Sequence, residues 1–197
     1  GKQFLYDEGI KVPMIVKFPK QLHKGTVRND MVKHIDILPS SLAIAGIPIP
    51  ENMEGTDIFS DNYDEQEYIY ACRDRCDETI DVIRSVRTKN YKYIRNFLSY
   101  RPHAQRNQYK DQKEISMHNR KLYESGKLDQ IQSAIYQPTR PAEELYDLVN
   151  DPFEIKNLAS DPDYEKILGN LRSHLYSWMI ETHDPGLIPE PILEELG

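Results

Sequence analysis

The apolar run from Val12 to Phe18 shows no polar alternation until Lys17 and ends at Pro19. That pattern predicts a strand buried on both faces, as in a parallel sheet. A polar loop follows from Lys20 to Asn29. Asp36 then stands as N-cap before Ile37, Leu38 and Pro39, and Leu42, Ala43 and Ala45 lead to Gly46, a residue type that ends helices in the left-handed conformation. A strand and one helix cannot bury their own faces, so the rest of that sheet is expected upstream of Gly1.

Ile47-Pro48-Ile49-Pro50 stiffens the exit from this unit, and the pattern changes. Residues 68–72 and 82–87 read as strands, and Thr88-Lys89-Asn90 reads as a hairpin turn into 91–97. There aromatic and basic residues alternate with the period of two of a half-exposed antiparallel strand. Residues 103–140 are polar, with a thin apolar stripe (Ile115, Leu122, Leu128, Ile131, Ile135), which predicts a surface insertion of two short helical pieces around Gly126. Residues 144–148 form another strand. The strongest helix opens at Asp161-Pro162 and runs over 162–181. Its apolar stripe, Tyr164, Ile167, Leu168, Leu171, Leu175, Trp178 and Met179, is expected to pack on a sheet, with Trp178 in the core. The proline- and acid-rich tail after Glu181 is expected on the surface, with His183 and Asp184 fixing the turn after the helix.

The chain has 197 residues and a formal net charge of -7, from 25 Lys+Arg against 32 Asp+Glu. That size fits one domain or part of a larger one. The charge provides no overall basic field for a polyanion, so a dedicated nucleic-acid binder is not expected. No stretch approaches the roughly 18 consecutive apolar residues of a membrane span. The N-terminus has neither a signal peptide nor an initiating Met, which suggests truncation or processing. The charge is uneven: residues 71–106 hold nine Lys/Arg against four Asp/Glu, whereas 140–197 hold four against thirteen. The basic stretch is where an anionic ligand has an electrostatic reason to go. Cys72 and Cys76, four strand steps or roughly 13 Å apart, are too far apart for a disulfide and are expected as free, mostly buried thiols.

Gly1-Lys2, followed by Leu5-Tyr6-Asp7-Glu8-Gly9-Ile10-Lys11-Val12-Pro13, resembles the sulfatase segment G-K-x-x-x-Y-(E/D)-x-G-x-(R/K)-x-P. The match continues in order through 15–19, 34–40, 45–47 and Met53-Glu54-Gly55, then the hairpin 86–94, and finally 144–148, 150–154 and Asn157-Leu158-Ala159. The ordered co-occurrence of these segments identifies the chain as similar to the C-terminal portion of sulfatases. Trp178, residues 181–185 and the closing 192–195 are similar to the heparan N-sulfatase (sulfamidase) group.

The resemblance implies an α/β fold, α+β for this portion. Residues 1–50 would end an alkaline-phosphatase-like sheet domain, and 51–197 would form a C-terminal subdomain with a small antiparallel sheet packed by the long helix. It implies hydrolysis of a sulfated carbohydrate, a calcium ion, and a formylglycine made from Cys or Ser in a (C/S)-x-P-S-R motif. Neither cysteine, nor Ser40-Ser41 nor Ser99, fits that motif, so both groups are expected in an upstream catalytic part of the same protein, and this portion alone is expected to be inactive. A periplasmic, extracellular or lysosomal location is implied for the intact protein.

Lys2 matches the lysine that in sulfatases contacts the sulfate and stabilises charge on the leaving oxygen. Without the motif it reads as a solvated terminal lysine. Arg73, Asp74 and Arg75 are expected just past a strand end, where they would bind sulfate, carboxylate or hydroxyl groups of a glycan or form an ordinary solvated ion cluster. His103 is a further substrate-binding candidate. His34 and Asp36 have tempting metal or acid/base spacing, but a capping role explains Asp36. Two other functions remain open: a phosphonate or phosphodiester hydrolase of the same superfamily, and a non-catalytic glycan-binding module.

Overall fold

A computed structural model of the protein describes residues 3–196. The chain forms two compact units, one of residues 1–11 with 70–197 and one of residues 12–69.

The larger unit is built on a four-stranded sheet in the order β1-β2-β3-β4, with β1 Ile69–Cys76, β2 Thr79–Arg87, β3 Tyr91–Asn96 and β4 Glu143–Asp147. Both ladders flanking β3 are antiparallel, with Val86 opposite Tyr93 and Tyr93 opposite Leu145. The turn at 88–90 is the expected hairpin, closed by the Thr88 amide donating to the Tyr91 carbonyl at 2.9 Å. β1 runs four residues further than its apolar pattern suggests, because backbone pairing with β2 carries the polar Arg73-Asp74-Arg75-Cys76 along. These residues therefore lie within the strand and not beyond it. The β1–β2 turn places Asp77 at φ 53.

One face of the sheet carries Val86, Tyr93 and Leu145, all fully buried, beneath α6 (Glu165–Glu181). Asp161 accepts the Asp163 amide at 3.1 Å and Pro162 opens the first turn, as the sequence pattern suggests. Leu168, Leu171, Leu175 and Met179 bury the helix stripe. Trp178 is only half-buried, stacked on Tyr70 at 4.9 Å near the sheet edge, and so sits outside the core. The opposite face packs Ile83, Ile94 and Tyr146 against Leu5, with Tyr6, Ile10, Ala71 and Leu148 around them. Tyr6 leads into the single turn α1 (Asp7–Ile10). With α6 on one side and residues 5–10 on the other, β3 is buried on both faces instead of half-exposed, and even Lys92 has no exposure.

The insertion contains three short helices, α3 (Gln108–Asp111), α4 (Glu114–Glu124) and α5 (Gln130–Ala134), none with a buried residue. Asn107 caps α3 through the Lys110 amide at 2.9 Å, which separates it from α4 and gives three pieces where two were expected. Past α6, Pro185–Leu187 forms one tight turn and is followed by α7 (Glu190–Leu196). Both cysteines are free, but Cys72 is exposed and Cys76 half-buried, since polar residues in β1 leave this strand at the sheet edge.

In the smaller unit, α2 (Ile37–Ile44) ends as expected, with Gly46 at φ 70. Asp36 does not cap α2 with its side chain. It is fully buried and accepts amides from Lys33 at 2.7 Å and Thr56 at 3.0 Å, pinning the preceding turn to the 53–56 loop. Gly55 is required there, because any Cβ would overlap the Ile35 carbonyl. Residues 12–18 are extended but form no ladder. Ile15 is 94% exposed, and Val12, Met14 and Val16 are also exposed. A strand needs a neighbour to satisfy its amides and cover its side chains, and the described residues provide none here.

Candidate functional site

The chemistry-bearing residues of the larger unit gather on the sheet face beneath residues 3–7. Alternation along the strands puts Asp81, Ser85 and Arg87 of β2, Lys92, Ile94 and Asn96 of β3, and Glu144 and Tyr146 of β4 on this side. Many are polar and fully buried, which is costly unless each finds a partner. Two groups of partners meet that requirement.

The first is centred on Glu144. One carboxylate oxygen accepts the Asn96 amide group at 2.5 Å; the other accepts hydroxyls from Tyr6, at 2.7 Å, and from Tyr146. His103 lies with Nε2 3.2 Å from the Tyr6 hydroxyl and Nδ1 3.5 Å from Arg140 Nη1. Arg140 can only donate, so Nδ1 is the acceptor and Nε2 carries the proton toward Tyr6. Burial holds the His103 pKa below its ordinary value, with Glu144 opposing and Arg140 assisting, so the ring is neutral. Arg140 binds Asp81 through both terminal nitrogens, and Arg73 lies 3.7 Å from the same carboxylate. Arg73 Nη1 also donates to the Gln3 carbonyl at 3.0 Å, under the Phe4 ring.

The second group is centred on Asp7. Its Oδ1 accepts from Lys92 at 2.5 Å and from Arg87 at 2.6 Å, and its backbone amide donates to Glu154 at 2.5 Å. Glu154 in turn pairs with Lys92 at 2.7 Å. Burial alone would raise the Asp7 pKa, but hydrogen bonds and charge from Lys92 and Arg87 outweigh it and hold the carboxyl below its usual range. Burial pushes Glu154 up, partly offset by Lys92.

The structure thus brings Arg73 and His103 together, through Asp81 and Arg140, on the face below residues 3–7. Asp74 points to the opposite face, where its carboxylate lies 2.8 Å from Arg84. Arg75 is exposed and donates to the Asp77 carbonyl at 2.7 Å. Lys2 lies outside the described residues. Sequence patterning missed Asp81, Arg140 and Asn96, whose partners lie tens of residues away. Asp7, Arg87, Lys92, Glu144 and Glu154 had a signal, since all fall in the segments that resemble sulfatases. Among the described residues, no group of three or more His, Cys, Asp or Glu side chains is placed to hold a metal ion. Most of the cluster's polar groups are engaged in internal hydrogen bonds, although the buried Nε atoms of Arg73 and Arg140 have no hydrogen-bond partner among the described residues, so the arrangement suits fixing the segment above it.

Comparison with known proteins agrees with this architecture. Residues 1–141 match the family model for the C-terminal region of N-sulphoglucosamine sulphohydrolase, and the chain belongs to that family. An ulvan-active sulfatase of Formosa agariphila is 36% identical over 96% of this chain and 32% of its own length. The human N-sulphoglucosamine sulphohydrolase is 49% identical over 53 residues, 26% of this chain and 11% of its own. The chain therefore spans about a third of the length of the ulvan-active relative. The fold also matches a solved 2-O GAG sulfatase, with a TM-score of 0.51 and 24% identity, covering 76% of this chain and 25% of that one.

Proposed function

We propose that the intact protein is a sulfatase that removes sulfate from a sulfated glycan, and that this chain supplies Lys2 to the reaction and the sheet face that holds residues 3–7. The family match over residues 1–141, which includes the Gly1-Lys2 segment, carries the reading. Lys2 places an ammonium where negative charge gathers on the bridging oxygen as the S–O or S–N bond breaks. Arg73, itself beside Asp81, holds the neighbouring backbone by donating to the Gln3 carbonyl. On this reading the formylglycine and calcium of the reaction belong to an upstream catalytic part, because neither cysteine, nor Ser40-Ser41 nor Ser99, fits the (C/S)-x-P-S-R motif. Alone, this chain is inactive on that reading, and the intact protein works in a periplasmic, extracellular or lysosomal compartment.

A heparan-type N-sulfated glucosamine is the favoured substrate, supported by the 49% identical stretch shared with the human sulphohydrolase. A sulfate ester of ulvan is the second reading, supported by the relative that matches 96% of the chain. Arg73 and His103 contribute to this site from below, while Asp74 and Arg75 lie apart from them. Sulfate release by the intact protein from N-sulfated heparan disaccharides, ulvan fragments and a phosphodiester control tests the proposal. Faster turnover of N-sulfate supports the first reading and of ulvan the second. Cleavage of the phosphodiester alone contradicts both.

A further inference from the structure

Three of the segments that mark the chain as sulfatase-like, 5–13, 86–94 and 150–154, carry no reacting group, yet they meet at one point largely withdrawn from solvent. Asp7 comes from the first, Arg87 and Lys92 from the second and Glu154 from the third. Lys92 and Glu154 are buried and Asp7 and Arg87 half-buried, and ion pairs withdrawn from solvent are often no more stabilising than an apolar cluster of equal volume, so stability alone does not account for the arrangement. Direction does. Asp7 is held by its side chain to Lys92 and Arg87 and by its backbone amide to Glu154, so neither the residue nor the peptide plane can turn.

We infer that Asp7 is a positioning residue, one that fixes the backbone of residues 3–6 leading to Lys2 and through it supports the catalytic role of that lysine. This rests on the role proposed for Lys2 above. Four residues separate Lys2 from Asp7 in the sequence, and five free chain steps reach roughly 17 Å, whereas charge stabilisation on a leaving oxygen tolerates about 1 Å. The segment is pinned along that span: Asp7 at its base, Tyr6 to Glu144 at 2.7 Å, Leu5 in the core, and the Gln3 carbonyl to Arg73 at 3.0 Å. Asp7 is the pin held by two cations and a carboxylate, and its loss frees the base of the span.

The test is a double-mutant cycle in the intact protein, reading sulfate release for wild type, Lys2→Ala, Asp7→Asn and the pair together. Asp7→Asn is expected to lower kcat by about tenfold or more with KM within about twofold, and Asp7→Glu to recover most of the loss. In the Lys2→Ala background, Asp7→Asn is expected to cost no more than about a further twofold, because its effect passes through the missing lysine. Tyr6→Phe, which keeps the ring packing and removes the bond to Glu144, carries the same cycle if Asp7→Asn does not fold. An Asp7→Asn enzyme as active as wild type, or losses that multiply in the double variant, overturns the positioning role alone. Wild-type protein that releases no sulfate overturns the role of Lys2 and this inference with it.

Discussion

The Asp7 carboxylate lies 2.5 Å from the Lys92 ammonium, which has no exposure to solvent although it belongs to a strand patterned as half-exposed. The pair joins residues 85 positions apart and ties the N-terminal segment to the centre of the sheet. A buried pair of this kind is asymmetric: keeping both partners costs little, whereas removing one leaves an uncompensated charge. Lys92→Met is therefore expected to destabilise the protein by about 3–5 kcal/mol, measured as a fall in denaturant midpoint at unchanged slope. Lys92→Arg, which keeps the charge in a larger group, is expected to lose less.

His103 gives the pH dependence a definite sign. Burial lowers its folded pKa below the unfolded value of about 6.5, so the unfolded chain binds its proton first as pH falls. Stability is then lost on acidification, beginning near the unfolded value and continuing down to the folded one. Asp7, whose folded pKa is also depressed, contributes stability above the unfolded carboxylate value and loses it at lower pH, in a separate acidic window. Denaturation midpoints between about pH 7 and pH 5 are expected to fall for wild type and to fall less for His103→Gln.

A third prediction concerns the tail. Arg84 is almost fully buried and bonds Asp184 at 2.5 and 2.7 Å, while Gly186 lies so close that an added Cβ would overlap the guanidinium. Gly186→Ala is expected to displace Arg84 and cost about 1–3 kcal/mol, read in the same denaturation experiment. A cost below about 0.5 kcal/mol would show that the tail yields without disturbing the pair.

These relationships explain what the sequence showed and what it hid. The hairpin at 88–90 and the α6 stripe were legible, because turn residues and three-to-four spacing act locally. The burial of Lys92, Arg84 and Asp81 was not, because each is compensated by a charge 59 to 100 residues away that no local window contains. Polar composition likewise concealed the second half of β1, where pairing with β2 overrides side-chain preference. Within the candidate cluster, Arg73 and His103 were singled out from local charge, while Asp7, Arg87, Lys92, Glu144 and Glu154 had only their place in the resemblance.

The exposed run at 12–16 yields a fourth prediction. Contiguous apolar surface of this kind binds hydrophobic dyes and promotes association. Ile15→Ser, at a position 94% exposed, is expected to reduce dye binding and light scattering of this chain and to change its unfolding free energy by no more than about 0.5 kcal/mol. Loss of stability on that substitution would show that Ile15 packs in the folded unit.

The central claim, that this chain carries the lysine at which a sulfatase stabilises its leaving group, is tested most directly by sulfate release from a sulfated sugar by the intact protein with and without Lys2→Ala. The account predicts sulfate release by wild type and a loss in kcat of roughly 10²–10³-fold in the variant, with folding unchanged. Equal activity in the two proteins, or no sulfate release by wild type, would contradict it.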